Sequence, residues 1–407
     1  MATVLLIMIY ACFVGLGIPD SLFGPAWPVM SEEFGLPVSI AGYLTAYFCL
    51  CSTVSSFLAD RLIHRFGTGK VTAVSTLLTA VGLMGYSVSR SIWFILLCAI
   101  PLGLGAGAVD AGLNNYVAIH YKASHISYLH CFYGVGVTVS PVFISVALAR
   151  GDWHGGYRVA GLVQLGIALV AVLAIPLWGK VAGAARSDAH SGASEGGSPA
   201  GGSATSGEEF RVVPFREQVA NPGIRWAWLI FTLAVTLEVL AGSWGSTYLV
   251  HNRGMAPHLA AAMTALYYFG LAAGRFISGL LAHKITAWRI IGLSLAIWPL
   301  SLLLFVLPLP PVVAGVGLLF ARLGIGPLYP NFVYLTPRNF GREMSQSVMG
   351  TQSAMAYLGL MAVPPLFSLL VGYAGVGVFL PFLALMFGLL LAAVLAFVRW
   401  LKGQVRY

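Results

Sequence analysis

Long runs of apolar residues alternate with short polar segments along almost the whole chain. A helix needs about 20 apolar residues to cross a hydrocarbon core about 30 Å thick. Runs of that length occur twelve times. They predict transmembrane helices, numbered here as spans 1 to 12, with approximate limits 4–30, 41–59, 70–88, 92–120, 127–149, 157–178, 225–250, 259–283, 288–307, 311–336, 345–371 and 374–400.

One long polar segment, 179–224, separates span 6 from span 7. Its centre, 183–209, consists of Gly, Ser and Ala with scattered charges, a composition typical of flexible linkers without a core of their own. The pattern therefore predicts an all-α polytopic membrane protein. Two six-helix bundles, 1–178 and 225–407, are joined by a linker over 179–224.

Composition supports this class. The 407 residues are 58% hydrophobic and only 9% charged, whereas a soluble chain carries about 25% charged residues. Such an apolar chain is neither a soluble globule nor a disordered protein. The five cysteines all lie in apolar runs without metal-ligand spacing, so we expect no metal site and no cofactor.

The net charge of +9 is explained by topology. Sixteen Lys and Arg residues lie in the loops of one side and four in the loops of the other. The positive-inside rule then places both termini and the linker in the cytoplasm, in a multi-pass protein of the cell (inner) membrane. No nucleic-acid partner is needed to account for the charge.

The two halves of the chain echo one another. The matching features are Asp20 with Trp27 against Glu238 with Trp244, segment 104–107 against 323–326, and Gly136 with Pro141 against Gly359 with Pro364. Two parallel six-helix repeats are typical of transporters. The repeats argue against a channel and against a membrane enzyme.

Two short motifs lie at equivalent ends of spans 2 and 8. After span 2 the chain reads Leu58-Ala59-Asp60-Arg61 and then Arg65-Phe66-Gly67-Thr68-Gly69-Lys70; span 8 ends with Gly274-Arg275-Phe276 and Gly279. These motifs resemble the signature loop of the major facilitator superfamily, and the resemblance covers the whole chain and implies that fold (the MFS fold) with pseudo-symmetric halves. Segments 17–28, 103–115 and 238–249 resemble the fucose–proton and hexose–proton symporter branch.

Of thirteen acidic residues, only Asp20, Asp110 and Glu238 lie well inside predicted spans. A carboxylate in a bilayer costs several kcal/mol unless it is protonated, paired or facing water, and a structural ion pair is the simplest alternative to function. Asp110 shares a helix face with Gly107 and Asn114. A carboxyl on such a face can cycle between neutral and charged forms, so Asp110 is our first candidate for proton coupling.

The symporter resemblance implies that one acid in span 1 and one in span 4 serve substrate binding and proton coupling. Asp20 and Asp110 occupy those positions. Asp20 follows Pro19, and Phe23 and Trp27 lie on its helix face. Aromatic rings beside a carboxylate suit a sugar, although Trp27 also fits an interfacial aromatic belt.

Further residues inside or beside the spans are predicted to contact the substrate or to control gating. Candidate substrate contacts, besides Asp20, Phe23 and Trp27, are Asn114, Asn115, His130, Glu238, Trp244, Tyr329, Asn331 and Gln352. A lone histidine such as His130 is also compatible with a purely structural hydrogen bond. Gating or structural roles are assigned to Asp60, Arg61, Arg275 and Arg322, and the two arginines are possible partners of Glu238.

The sequence contains no G-x-x-x-x-G-K-[ST] motif and no soluble domain that could hydrolyse ATP. We therefore expect a monomeric secondary transporter, not an enzyme, that takes up a small polyhydroxylated solute, foremost a monosaccharide, with protons by alternating access. Sodium coupling stays open. The alternatives are a drug or metabolite–proton antiporter and uptake of a nucleoside or an organic anion, which would need an unpaired cavity cation such as Arg322.

Overall fold

A computed structural model describes residues 2–121, 123–178 and 213–404. Within these ranges the secondary structure is helical, without strands. Two short 3-10 helices, Val38–Ile40 and Val376–Val378, accompany the α-helices. The α-helices are α1 (Ala2–Asp20), α2 (Phe23–Glu33), α3 (Ala41–Phe66), α4 (Thr68–Tyr86), α5 (Ile92–His120), α6 (Ala123–Leu148), α7 (Trp153–Leu173), α8 (Phe215–Ala220), α9 (Pro222–Arg253), α10 (Pro257–Ala282), α11 (Ala287–Val306), α12 (Pro311–Ile325), α13 (Leu328–Phe340), α14 (Arg342–Ala374) and α15 (Phe379–Gln404).

Eleven segments of the described chain are long and apolar enough to cross a membrane. Span 1 consists of α1 and α2, and span 10 consists of α12 and α13. The helix α4 occupies the place of span 3 but is less apolar, because Lys70 and several Ser and Thr residues lie along it. It packs between α5 and α7.

The last part of the predicted linker has structure of its own. The short helix α8 lies just before α9. The buried Gln218 accepts a hydrogen bond at its Oε1 from the Thr351 hydroxyl of α14 over 2.7 Å. The polypeptide is thereby attached to span 11 before span 7 begins.

Matching glycines bring helices together within each half. A Cβ at Gly324 of α12 would lie 2.8 Å from the Ser294 carbonyl of α11, and Gly105 of α5 meets the Ser75 carbonyl of α4 in the same way. Any side chain larger than hydrogen would push these helices apart. The echo between segments 104–107 and 323–326 is therefore a repeated packing contact.

The two halves meet at the end of the bundle that carries loops 34–40, 149–152, 254–256 and 375–378, here called the closed end. There the Gly42 amide donates to Ser368 Oγ over 2.9 Å, and Ser145 Oγ donates to the His258 carbonyl over 2.7 Å. Deeper in the bundle, Gly24 of α2 packs against the backbone of α9.

The opposite end, here called the open end, carries both termini. Among the described side chains, every hydrogen bond that joins the two halves lies at the closed end. Between the halves, Asp20 and His130 are exposed and Tyr357 is 66% exposed, whereas Gly42 and Ser368 at the closed end are buried. The structure is therefore open at one end only.

Candidate functional site

Asp20 lies where span 1 breaks, between the end of α1 and the start of α2. It is exposed although it sits in the middle of a membrane-length segment. Its Oδ2 accepts a hydrogen bond of 2.7 Å from the Tyr133 hydroxyl of α6. The helices α1 and α6 approach closely because Gly17 and Gly136 face the partner backbone. An exposed carboxylate thus lies in the middle of a membrane-length segment.

Asp110 lies on α5 and is half-buried. The Asn114 amide donates to Asp110 Oδ1 over 2.9 Å and to the Asp110 carbonyl over 3.0 Å. Asp110 is also within electrostatic range of Asp20 and of the Tyr357 hydroxyl on α14. Gly107, on the same face, packs against α3 and accepts a hydrogen bond from Ser56, so the glycine serves helix packing and the acid faces the cavity.

Glu238 is held by an ion pair in the second half. Arg322 Nη2 lies 2.7 Å from Glu238 Oε1, and Arg322 Nη1 donates to the Tyr267 hydroxyl over 3.2 Å. The Tyr267 hydroxyl in turn donates to the Glu238 carbonyl. The guanidinium also stacks over the rings of Tyr267 and Tyr268, at 5.0 and 5.7 Å. The side chain of Arg322 is only 5% exposed. Its buried charge is neutralised by the Glu238 carboxylate.

Arg275 has different surroundings. It lies on α10 and is partly exposed, and it forms no ion pair with a described residue; its Nε, like that of Arg322, is buried without a hydrogen-bond partner. The titratable side chains within electrostatic range are His130, Cys131, Tyr133 and Tyr329. Of the two arginines predicted as possible partners of Glu238, the structure therefore pairs only Arg322.

Electrostatic contacts link these side chains across the two halves, and the region between them is here called the central cavity. Asp20 and Tyr133 of the first half lie within electrostatic range of Tyr268 of the second half. The cavity is defined here by Asp20, Asp110, His130, Tyr133, Tyr268, Arg275, Tyr329 and Tyr357. Tyr133 was not among the site residues predicted from the sequence, although it lies one helical turn after His130.

Two predicted contacts do not reach this cavity. Trp27 is fully buried and donates its Nε1 hydrogen to the Val38 carbonyl over 2.8 Å. Trp244 is fully buried too and packs against Phe367 at 5.1 Å. Both indoles fill the closed end where the halves meet, and their assignment as substrate contacts stays a prediction. Phe23 is partly buried against Trp27 at 5.2 Å.

Two further residues hold helices together. Asn331 is buried and donates to Ser278 Oγ over 3.0 Å and to the Pro327 carbonyl over 2.7 Å. Gln352 is buried and accepts a hydrogen bond of 3.2 Å from Thr336. These hydrogen bonds connect helices of the second half, and the predicted role of both residues in binding stays a prediction.

The remaining predicted residues lie in the cavity wall or at the open end. The Tyr329 hydroxyl is 3.4 Å from Ser353 Oγ and lies within electrostatic range of Arg275. Arg61 is exposed near the end of α3. The side chains of Asp60 and Asn115 are outside the described part of the structure.

Known proteins with similar sequences or structures agree with this architecture. The sequence profile described as Major Facilitator Superfamily matches residues 9–364. Bypass of stop codon protein 6 of Saccharomyces cerevisiae is 23% identical over 98% of this chain and 84% of its own length.

Two solved structures have the same fold. A mutant of the nucleoside transporter NupG superposes with a TM-score of 0.72 at 11% identity, covering 96% of this chain and 98% of its own. The D-xylose–proton symporter superposes with a TM-score of 0.69 at 12% identity, covering 97% and 96%. With the family profile spanning most of its length, the chain belongs to the Major Facilitator Superfamily and is a membrane transporter, not an enzyme.

Proposed function

We propose that the protein takes up a small polyhydroxylated solute, foremost a monosaccharide, together with protons. The observation that carries this proposal is the position of Asp20. Its carboxylate is exposed in the middle of the membrane-length segment Thr3–Glu33, at a break in the helix. A carboxylate there can accept hydrogen bonds from solute hydroxyls, and broken helices line the binding sites of many transporters.

The second acid, Asp110, supports the proposal of proton coupling. Asp110 lies within electrostatic range of Asp20. Two carboxylates in a low-dielectric space repel each other, and one proton removes the repulsion. Protonation of Asp110 therefore makes solute binding at Asp20 more favourable, and loss of that proton makes release more favourable. Asn114 keeps the Asp110 carboxyl in place through this cycle.

Alternating access has a physical basis in the contacts at the closed end. Gly24 and Gly42 lie directly against the backbone of the other half, so smooth surfaces meet there. Such surfaces can separate without disentangling long side chains. If the charge distribution places both termini in the cytoplasm, the open end faces the cytoplasm and the structure is inward-open. This is the state that releases solute and proton.

The alternatives are less well supported. Binding of an organic anion by Arg322, the cation predicted for it, is not supported, because Arg322 is paired with Glu238. An antiporter of the drug–proton type typically carries a Gly-Pro-x-x-Gly-Gly sequence in span 5, which this chain lacks. The likeness to a nucleoside transporter extends to the fold alone.

The test is uptake into proteoliposomes that contain the purified protein. A panel of hexoses, pentoses and nucleosides is offered with an inward proton gradient, with an inward sodium gradient, and with neither. We expect at least one sugar to accumulate with the proton gradient and a protonophore to abolish the accumulation. Accumulation driven only by sodium would refute proton coupling. If no sugar accumulates and dyes are expelled instead, the protein is an antiporter.

A further inference from the structure

An arginine that forms no ion pair with any described residue lies in the wall of the central cavity. Arg275 has no ion-pair partner among the described residues. The titratable groups near it are an imidazole, a thiol and two phenols, none of which is a carboxylate. Arginine stays protonated in proteins. The cavity therefore holds a permanent cation that the described part of the protein does not neutralise.

Arg322 shows how the same half treats an arginine that is structural. Its guanidinium is paired with Glu238 at 2.7 Å, hydrogen-bonded to Tyr267 and covered by two aromatic rings. Charged groups at membrane depth are rare and pair with one another or face water on a transport pathway. Since Arg275 lacks a pair, we attribute it to the transport pathway.

We propose that Arg275 binds an anionic group of the transported solute, so that the solute is a hydroxylated carboxylate, that is, a sugar acid. This inference rests on the proposed function above and narrows its substrate class. A guanidinium binds a carboxylate through two parallel hydrogen bonds. One unpaired arginine balances one negative charge, which favours a carboxylate over a doubly charged phosphate ester.

The two ends of such a solute have partners in different halves. Arg275 belongs to the second half and Asp20 to the first, and Tyr133 hydrogen-bonds Asp20 while lying within electrostatic range of Arg275. A solute of sugar size would place its carboxylate at Arg275 and its hydroxyls at Asp20. A ligand held by both halves stabilises the closed intermediate through which alternating access passes.

Binding to the purified protein provides the first test. Affinities are measured for glucose, for gluconate and glucuronate, and for glucose 6-phosphate, each with the wild type and with Arg275→Gln. We expect one of the two acids to bind at least about tenfold more tightly than glucose, the scale of a hydrogen bond to a charged group. Arg275→Gln should abolish that preference. Arg289→Gln, which changes an exposed arginine of α11, should preserve it.

Charge balance provides a second test that needs no variant. One proton carried with a singly charged acid transfers no net charge, whereas one proton with a neutral sugar transfers one. Uptake of the acid into proteoliposomes should therefore respond to a pH gradient and ignore a potential set by potassium and valinomycin. Uptake that follows the potential contradicts the inference.

The outcomes separate the two proposals. If wild type binds glucose as tightly as its acids, prefers the phosphate ester, or keeps its preference after Arg275→Gln, the sugar-acid inference is wrong. Proton-driven accumulation of a neutral sugar would then still support the proposed function. If the protein neither binds nor accumulates any sugar or sugar acid, both proposals are wrong.

Discussion

Arg322 and Glu238 form an ion pair of 2.7 Å in the second half, whereas Asp20, the matching acid of the first half, is bound by the neutral hydroxyl of Tyr133. The two acids lie at nearly equivalent places in the two repeats. One is neutralised by a fixed partner and the other stays available in the cavity. The matching acids of the two repeats therefore have different surroundings, one paired with an arginine and the other exposed.

Breaking the ion pair should destabilise the protein. Glu238→Gln leaves the guanidinium of Arg322 buried without a counter-ion. The expected cost is about 3 kcal/mol, at the low end for buried pairs because 28% of the Glu238 side chain is exposed. The measurement is the thermal unfolding temperature in detergent. A double variant, Glu238→Gln with Arg322→Gln, should unfold at a higher temperature than the single variant; an equal or lower temperature would show that the pair is not the source of the loss.

Asp110→Asn should uncouple transport from the proton gradient. The amide keeps the shape and the neighbour Asn114 but cannot bind and release a proton. Accumulation against a concentration gradient should be lost while exchange of solute across the membrane persists, as measured with radiolabelled solute in proteoliposomes. Glu32→Gln, which changes an exposed acid near the closed end, is the matched control and should accumulate normally. Normal accumulation by Asp110→Asn would assign coupling to another group.

Gly42→Val should prevent the closed end from forming. A Cβ at Gly42 would collide with the Pro364 carbonyl and with Ser368 Oγ of the other half. The variant should stay open at that end and transport poorly. In a variant that retains only Cys131, an exposed thiol of α6, labelling from the open end should slow down.

Gly166→Val is the control for this substitution. A Cβ at Gly166 of α7 would meet no heavy atom within 4 Å, so transport and labelling should match the parent protein. If Gly42→Val transports at the parental rate, the closed end tolerates separation by a side chain and the close contact is not required for the cycle.

Trp27→Phe tests whether the indole of Trp27 stabilises the closed end or binds the solute. The substitution removes the indole hydrogen bond to the Val38 carbonyl, which still accepts a hydrogen bond from the Ala41 amide, so the expected cost is about 0.5–1.5 kcal/mol. The unfolding temperature should fall while the KM for transport stays unchanged. Trp93→Phe, at a residue that is 77% exposed, should change neither quantity. A large rise in KM for Trp27→Phe would show that the indole contributes to solute binding.

The sequence by itself determined the class of protein and the order of its helices. A bilayer requires about 20 apolar residues per crossing and penalises charges within them, and both constraints are visible in a linear pattern. The same penalty reduced the candidate acids to Asp20, Asp110 and Glu238. The break in span 1 could also be predicted, because Pro19 and Pro25 cannot continue the ladder of helical hydrogen bonds.

Only the tertiary structure decided which side chains face the cavity. Helical periodicity assigns residues to a face, but the same face can pack against a helix or face water. Trp27 shared a predicted face with Asp20 and is buried, as is Trp244, whereas Tyr133 reaches Asp20 from another helix. The choice of Arg322 over Arg275 as the partner of Glu238 depends likewise on distances between helices far apart in sequence. Such distances are set by packing between helices, which a pattern along one chain does not contain.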